Sequence, residues 1–248
     1  MERGLILLAA ALMVFVAPGV QGTAHLSFAT NRTVNITRDG CGSTKLCVET
    51  PADCDPAGNG TCLFGAVNTS TPMAPNGTDL SIQLRGNSQG YVALGLTANA
   101  SVGITMLFIC AQNSSNNGTF FFRTMQRNNT DSMLSPTETI VREIRGSVEG
   151  DMIRCEFDVP GVNATSTRTS HAITFSILLG SGTVTGGVIG AFNSTLNSGP
   201  LNITNPASNV VNTTPAPTTT TSGASSVLYP HALLLLLSVL TLSVKLRA

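Results

Sequence analysis

Gly90-Tyr-Val-Ala-Leu-Gly-Leu-Thr97 and the run Ile104-Thr-Met-Leu-Phe-Ile-Cys-Ala111 decide the fold class. In the first piece Val92, Leu94 and Leu96 fall on one face of an extended chain, and Tyr91, Ala93 and Gly95 on the other. The second piece is apolar on both faces, the pattern of a strand with packed layers on either side. The link Thr97-Ala-Asn-Ala-Ser-Val-Gly103 is polar and glycine-bearing, so it reads as a loop. The two pieces are expected to be central strands of a β-sandwich, and the loop joining them is the first place to look for chemistry.

Working outward, more strand patterns follow. Leu80-Ser-Ile-Gln-Leu-Arg85 alternates, and in Asp151 to Val159 the residues Ile153, Cys155, Phe157 and Val159 share a face. Thr119 to Met125, Thr139 to Arg145, His171 to Leu179, Gly187 to Phe192 and Pro200 to Thr204 are further candidates, with an edge strand inside Leu26 to Ile36. Asn, Gly and Ser clusters separate them, which is turn chemistry. No long segment has helical periodicity. The expected fold class is all-β, an antiparallel β-sandwich.

The ends carry targeting patterns. Met1-Glu-Arg, an apolar core from Leu5 to Val16 and small residues up to Gly22 read as a secretory signal peptide over 1–22, against a buried N-terminal helix as the alternative. Residues 206–222 form a Thr/Pro-rich stalk that cannot bury a core. Ser222-Gly-Ala, a spacer and the apolar tail Leu233 to Val244 match a GPI-attachment signal, with Ser222 or Gly223 as the attachment residue and 223–248 removed. A short single-pass anchor is the rival, and the tail falls short of the roughly 20 residues a span needs. Either reading puts the protein on the outer face of the cell membrane, with the lipid of the outer leaflet as a partner.

Composition fits that address. Thirteen basic and thirteen acidic side chains cancel, so no basic face recommends nucleic acid. Asn-X-Ser/Thr acceptors stand at Asn31, Asn35, Asn59, Asn68, Asn76, Asn99, Asn113, Asn117, Asn128, Asn163, Asn193, Asn202 and Asn212. Their density predicts a glycan-coated surface, with those positions on loops or exposed strand faces. Six cysteines, Cys41, Cys47, Cys54, Cys62, Cys110 and Cys155, predict three disulfides in an oxidising compartment. The turn-rich span Cys41–Cys62 is expected to be stapled by its own bridges. Cys110 and Cys155 pair either with each other or with that cluster. No His lies among these cysteines, which argues against zinc.

Catalytic signatures are missing. There is no phosphate-binding glycine loop, no HExxH and no nucleophile elbow. No close acid pair suggests glycosidase chemistry. Between the signal and the tail the histidines are His25, near the mature N-terminus, and His171, which heads a strand pattern. No catalytic residue is assigned.

The remaining motifs resemble one family. Gly40-Cys-Gly-Ser-Thr-Lys-Leu-Cys47, Cys54-Asp-Pro, Cys62, Gly90-Tyr-Val-Ala-Leu-Gly-Leu96 and Ile109-Cys-Ala111 look like the DOMON domain of the ferric-chelate reductase 1 family. Ile153-Arg-Cys-Glu-Phe157 and Ser176-Ile-Leu-Leu-Gly-Ser-Gly182, ending in Gly187-Val-Ile189, are similar to its last strands. The resemblance covers roughly 39–205, after an N-terminal segment 23–38, and implies a β-sandwich. The full reductases add a cytochrome b561 membrane part that this sequence does not contain, so a DOMON-only, GPI-anchored member is expected.

The resemblance also implies where haem b would be held: by a Met in the loop after the glycine-bearing strand and a His near the domain's end. Those positions read Val102 and Phe192 here, and neither side chain has a lone pair for iron. Met106 and His171 are the weak substitutes. The expectation is a surface glycoprotein without a cofactor that binds an extracellular ligand or surface protein. The alternative is a haem b surface redox protein.

Overall fold

The computed structural model describes residues 24–70, 77–113, 118–162 and 174–209. His171, the terminal patterns, Ser222, Gly223 and the acceptors Asn76, Asn117, Asn163 and Asn212 lie outside these residues. The strands described are β1 (Leu26–Phe28), β2 (Leu46–Thr50), β3 (Leu63–Thr69), β4 (Thr78–Asn87), β5 (Tyr91–Thr97), β6 (Ile104–Asn113) and β7 (Thr119–Asn128). They continue as β8 (Leu134–Pro136), β9 (Val141–Glu149), β10 (Met152–Val162), β11 (Thr174–Gly182), β12 (Val184–Thr185), β13 (Val188–Ile189) and β14 (Asn193–Asn202). Among the described residues no helix is long and apolar enough to cross a membrane.

Two six-stranded sheets form the body. One has the order β1-β9-β10-β4-β3-β2 and the other β14-β11-β5-β6-β7-β8. Their facing sides interdigitate in one core. Leu80, Ile82 and Leu84 of β4 and Ile153, Phe157 and Val159 of β10 meet Val92, Leu94 and Leu96 of β5 and Phe108 of β6 there, all with essentially no exposure. Each alternating apolar set thus reaches the core from its own strand, which is why a one-residue slip in register would be costly. Phe157 lies 5.4 Å from Phe108 and 4.9 Å from Phe122, ring centre to ring centre, so aromatic contacts bridge the two sheets.

The cysteines pair as Cys41–Cys47, Cys54–Cys62 and Cys110–Cys155. The third bridge runs from β6 in one sheet to β10 in the other, through the centre of the core. The first two close short loops on the outer side of the first sheet, where Ile36, Cys47, Cys62, Phe64 and Ala66 form a second buried cluster. Arg85 holds the Cys54–Cys62 loop in place. Its guanidinium is fully buried and donates to the carbonyls of Gly58, Gly60 and Cys62. Burial lowers its pKa from the usual arginine value.

Several features depart from the sequence reading, and β3 (Leu63–Thr69), an interior strand of the first sheet, matches none of the strand candidates. The turn-rich span Cys41–Cys62 contains a strand, β2, which pairs with β3. The expected edge strand in Leu26 to Ile36 is only the three residues of β1, and it pairs parallel to β9 in an otherwise antiparallel sandwich. Finally, β14 runs through the polar stretch Asn193–Asn202. It is an edge strand with one neighbour and little buried surface, so no hydrophobic alternation marks it.

Candidate functional site

The loop after β5 is held by one asparagine. Asn129, just beyond β7, is buried, and its amide nitrogen donates to Thr97 Oγ1 at 3.1 Å and to the carbonyls of Asn99 and Val102 at 2.7 and 3.3 Å. Its amide oxygen accepts from Thr105 Oγ1 at 2.6 Å, and its backbone N–H reaches the Gly103 carbonyl at 2.9 Å. Every polar atom of that side chain is therefore used in fixing the loop. Nothing in the periodicity of the sequence singles out Asn129. The only signal is its neighbourhood, a polar strand end that pairs with the start of β6 through Asn128 and Ile104.

On this loop Val102 is 56 % exposed, with its side chain in solvent. Phe192 is elsewhere and in a different setting. It is buried in a third apolar cluster with Tyr91, Ala93, Leu107, Ile109 and Leu178. These are the alternate residues of β5, β6 and β11, pointing away from the sandwich core, so the cluster covers the outer side of the second sheet. The lid is the chain itself: Val184 of β12, Ile189 of β13 and Phe192. The apolar character of both faces of β5 and β6 thus has its cause in a local third layer.

Two glycines make that layer possible. A Cβ on Gly180 would stand 2.2 Å from the Asn193 carbonyl oxygen and 2.6 Å from the Phe192 ring. A Cβ on Gly182 would stand 2.4 Å from the Ala191 carbonyl oxygen and from the Tyr91 ring. The glycines of Ser176-Ile-Leu-Leu-Gly-Ser-Gly182 therefore let residues 191–193 lie directly on β11. The Tyr91 hydroxyl donates to the Gly190 carbonyl at 3.0 Å and fastens the same segment. Burial raises its pKa to about 12.

Met106 is on the opposite side of the sheet from Phe192. It alternates with Phe108 and Cys110 and packs half-buried against the inner core. Val102, Met106 and Phe192 thus occupy an exposed loop, the inner face and the outer face, and the fold does not bring them together. Among the described residues no group of three or more His, Cys, Asp or Glu side chains is placed to hold a metal ion.

Two clefts involve the first sheet. One of about 470 Å³ opens on its outer side, lined by Asn68, Asp79, Ser81, Arg142, Glu143 and Asp158 among others. Another of about 450 Å³ lies between β1, β7 and β9, with Phe28, Phe120 and Arg145 in its wall. The described Asn-X-Ser/Thr asparagines all have some exposure. Asn31, Asn35, Asn59, Asn68, Asn99 and Asn193 are exposed, and Asn113, Asn128 and Asn202 are half-buried.

No protein-family model matches the chain, and no solved structure matches it. Two curated proteins do. One, from Danio rerio, carries the description "Putative ferric-chelate reductase 1" and is 26% identical over 196 residues, 79% of this chain and 33% of that protein. The other, from Xenopus laevis and with the same description, is 25% identical over 118 residues, 48% of this chain and 18% of that protein. The chain thus spans a third or less of the curated relatives it matches. Over the part they share, it is a distant homologue of ferric-chelate reductase 1 proteins.

Proposed function

We propose that this protein is a cell-surface glycoprotein whose DOMON-like sandwich no longer ligates haem and serves as a binding module for an extracellular ligand or surface protein. The observation that carries this reading is the fate of the two family ligand positions. Val102 is hydrocarbon in solvent, and Phe192 is hydrocarbon used as packing, buried where the chain seals the outer face of the second sheet. A haem does not fit these donors, because iron needs a lone pair and neither side chain has one. The half-buried Met106 packs against the inner core, on the opposite side of the sheet from Phe192.

The rest of the proposal follows the sequence. The signal pattern sends the chain out of the cell, the accessible Asn-X-Ser/Thr acceptors carry glycans, and the small-residue site at Ser222 or Gly223 takes a GPI anchor in the outer leaflet. Solubility then comes from sugar, since formal charge is balanced.

A second reading draws on the relatives, whose printed description is a reductase. It makes this chain a haem b surface redox protein that uses Met106 and His171. One preparation tests both. The protein purified from cells supplied with haem precursor is expected to show no Soret band. A stoichiometric band that shifts with dithionite and is lost in Met106→Ala or His171→Ala would establish the second reading.

A further inference from the structure

We infer that the cleft on the outer side of the first sheet is the seat of this chain's own glycan, carried by Asn68. The inference rests on the glycoprotein reading above. Asn68 opens the acceptor Asn68-Thr-Ser70 near the end of β3. Its side chain is exposed and makes no hydrogen bond. By contrast, the Asn128 amide nitrogen donates to Asp131, so a sugar there would displace an existing bond.

Register sets out what lies beside Asn68. It is directly opposite Ser81 of β4, Ser81 is opposite Asp158 of β10, and Asp158 is opposite Arg142 of β9. These four side chains form a row across the outer face, neighbours spaced as cross-strand pairs. Past Arg142 the pairing shifts: Glu156 faces Arg145 while Asp158 faces Arg142, so β9 bulges. Glu143 sits in that bulge with φ of 52° and lines the cleft with the row. A bulge is a means of re-aiming a side chain.

The lining identifies the occupant. Asp158, Glu143, Ser81 and Arg142 offer acceptors and donors in the pattern that sugar hydroxyls need, and the half-buried Pro160 offers an apolar patch for a sugar C–H face. Its volume of about 470 Å³ lies within the range of small-molecule sites. An acceptor asparagine at the lip supplies the sugar covalently, at high effective concentration, so individually weak contacts suffice.

The test uses the full chain expressed in mammalian cells, followed by glycopeptide mass spectrometry and timed enzymatic deglycosylation of the native protein. Asn59, exposed in the Cys54–Cys62 loop, is the comparator. Asn68 is expected to be occupied and to release its glycan about tenfold more slowly than Asn59, because cleavage needs the open state. Asp158→Asn combined with Ser81→Ala should remove most of that difference while leaving the rate at Asn59 unchanged. Glycans at the other acceptors with Asn68 empty would overturn this inference alone. So would equal release rates at Asn68 and Asn59. A chain with no glycan at any acceptor would overturn the glycoprotein reading together with it.

Discussion

Asn129 and Tyr91 are where single atoms matter most. Asn129→Ala leaves the buried Thr105 hydroxyl and the Val102 carbonyl without their partner, and removes one of several bonds at Thr97 Oγ1 and the Asn99 carbonyl. Unsatisfied buried groups of this kind cost about 1–3 kcal/mol each, so a loss of roughly 3 kcal/mol is expected, read from the urea midpoint. Tyr91 makes stability sensitive to alkali. Its folded-state pKa is raised to about 12 by burial, above the ordinary value of about 10. Its contribution is therefore complete below pH about 10 and is lost as pH rises through about 12. Tyr91→Phe should flatten the stability loss over that window in urea titrations at several pH values. At neutral pH it should cost about 1 kcal/mol for the Gly190 bond. Neither role was legible in sequence. Tyr91 reads as one alternating position of a strand, and Asn129 as one more polar residue beside a glycan acceptor. Val102 and Phe192 were singled out only by family resemblance, which could not tell that one is in solvent and the other in a packed cluster.

At the scale of elements, most strands that are legible in sequence have one polar and one apolar face or two buried ones, whereas β3, buried on both faces at Phe64–Val67, is short and carries Gly65 and Ala66, so no alternation marks it. The alternation in Leu80–Arg85 and Ile153–Val159 maps onto neighbouring strands of one sheet, paired Cys155 to Leu84 and Phe157 to Ile82. β2 was hidden because its residues sit between two disulfide-closed turns. β14 was hidden because its length lies at a sheet edge and is mostly polar. The third layer was invisible for a different reason. It depends on Gly180 and Gly182 permitting a close approach, and glycines in a strand pattern do not say what approaches them. Gly180→Ala should be strongly destabilising, by about 2 kcal/mol or more, since the Asn193 carbonyl cannot yield as a side chain can. The Cys110–Cys155 bridge is the other element-level support. It closes a separation of 45 residues, for which chain-entropy reasoning gives about 4 kcal/mol. The Cys110→Ala, Cys155→Ala double variant is expected to approach that loss by chemical denaturation. The bridge itself should resist reductant until the sandwich unfolds, because both cysteines are fully buried.

For the whole molecule, the two sheets form a braced scaffold with sugar acceptors on several sides. One outer face is sealed by the chain's own apolar lid, and the other is partly open and polar. The proposed display outside the cell requires an anchor. Phosphatidylinositol-specific phospholipase should release the protein from intact cells, and Ser222→Leu with Gly223→Leu should abolish surface display; retention despite accessible enzyme would point to a spanning tail. The central claim is that hydrocarbon has replaced the iron-holding pair. Its most direct test is the absorption spectrum of the native protein isolated from haem-replete cells, with pyridine haemochrome quantitation. The expected result is a colourless protein with far less than one haem per chain. One haem b per chain, with a Soret band that responds to dithionite, would contradict it.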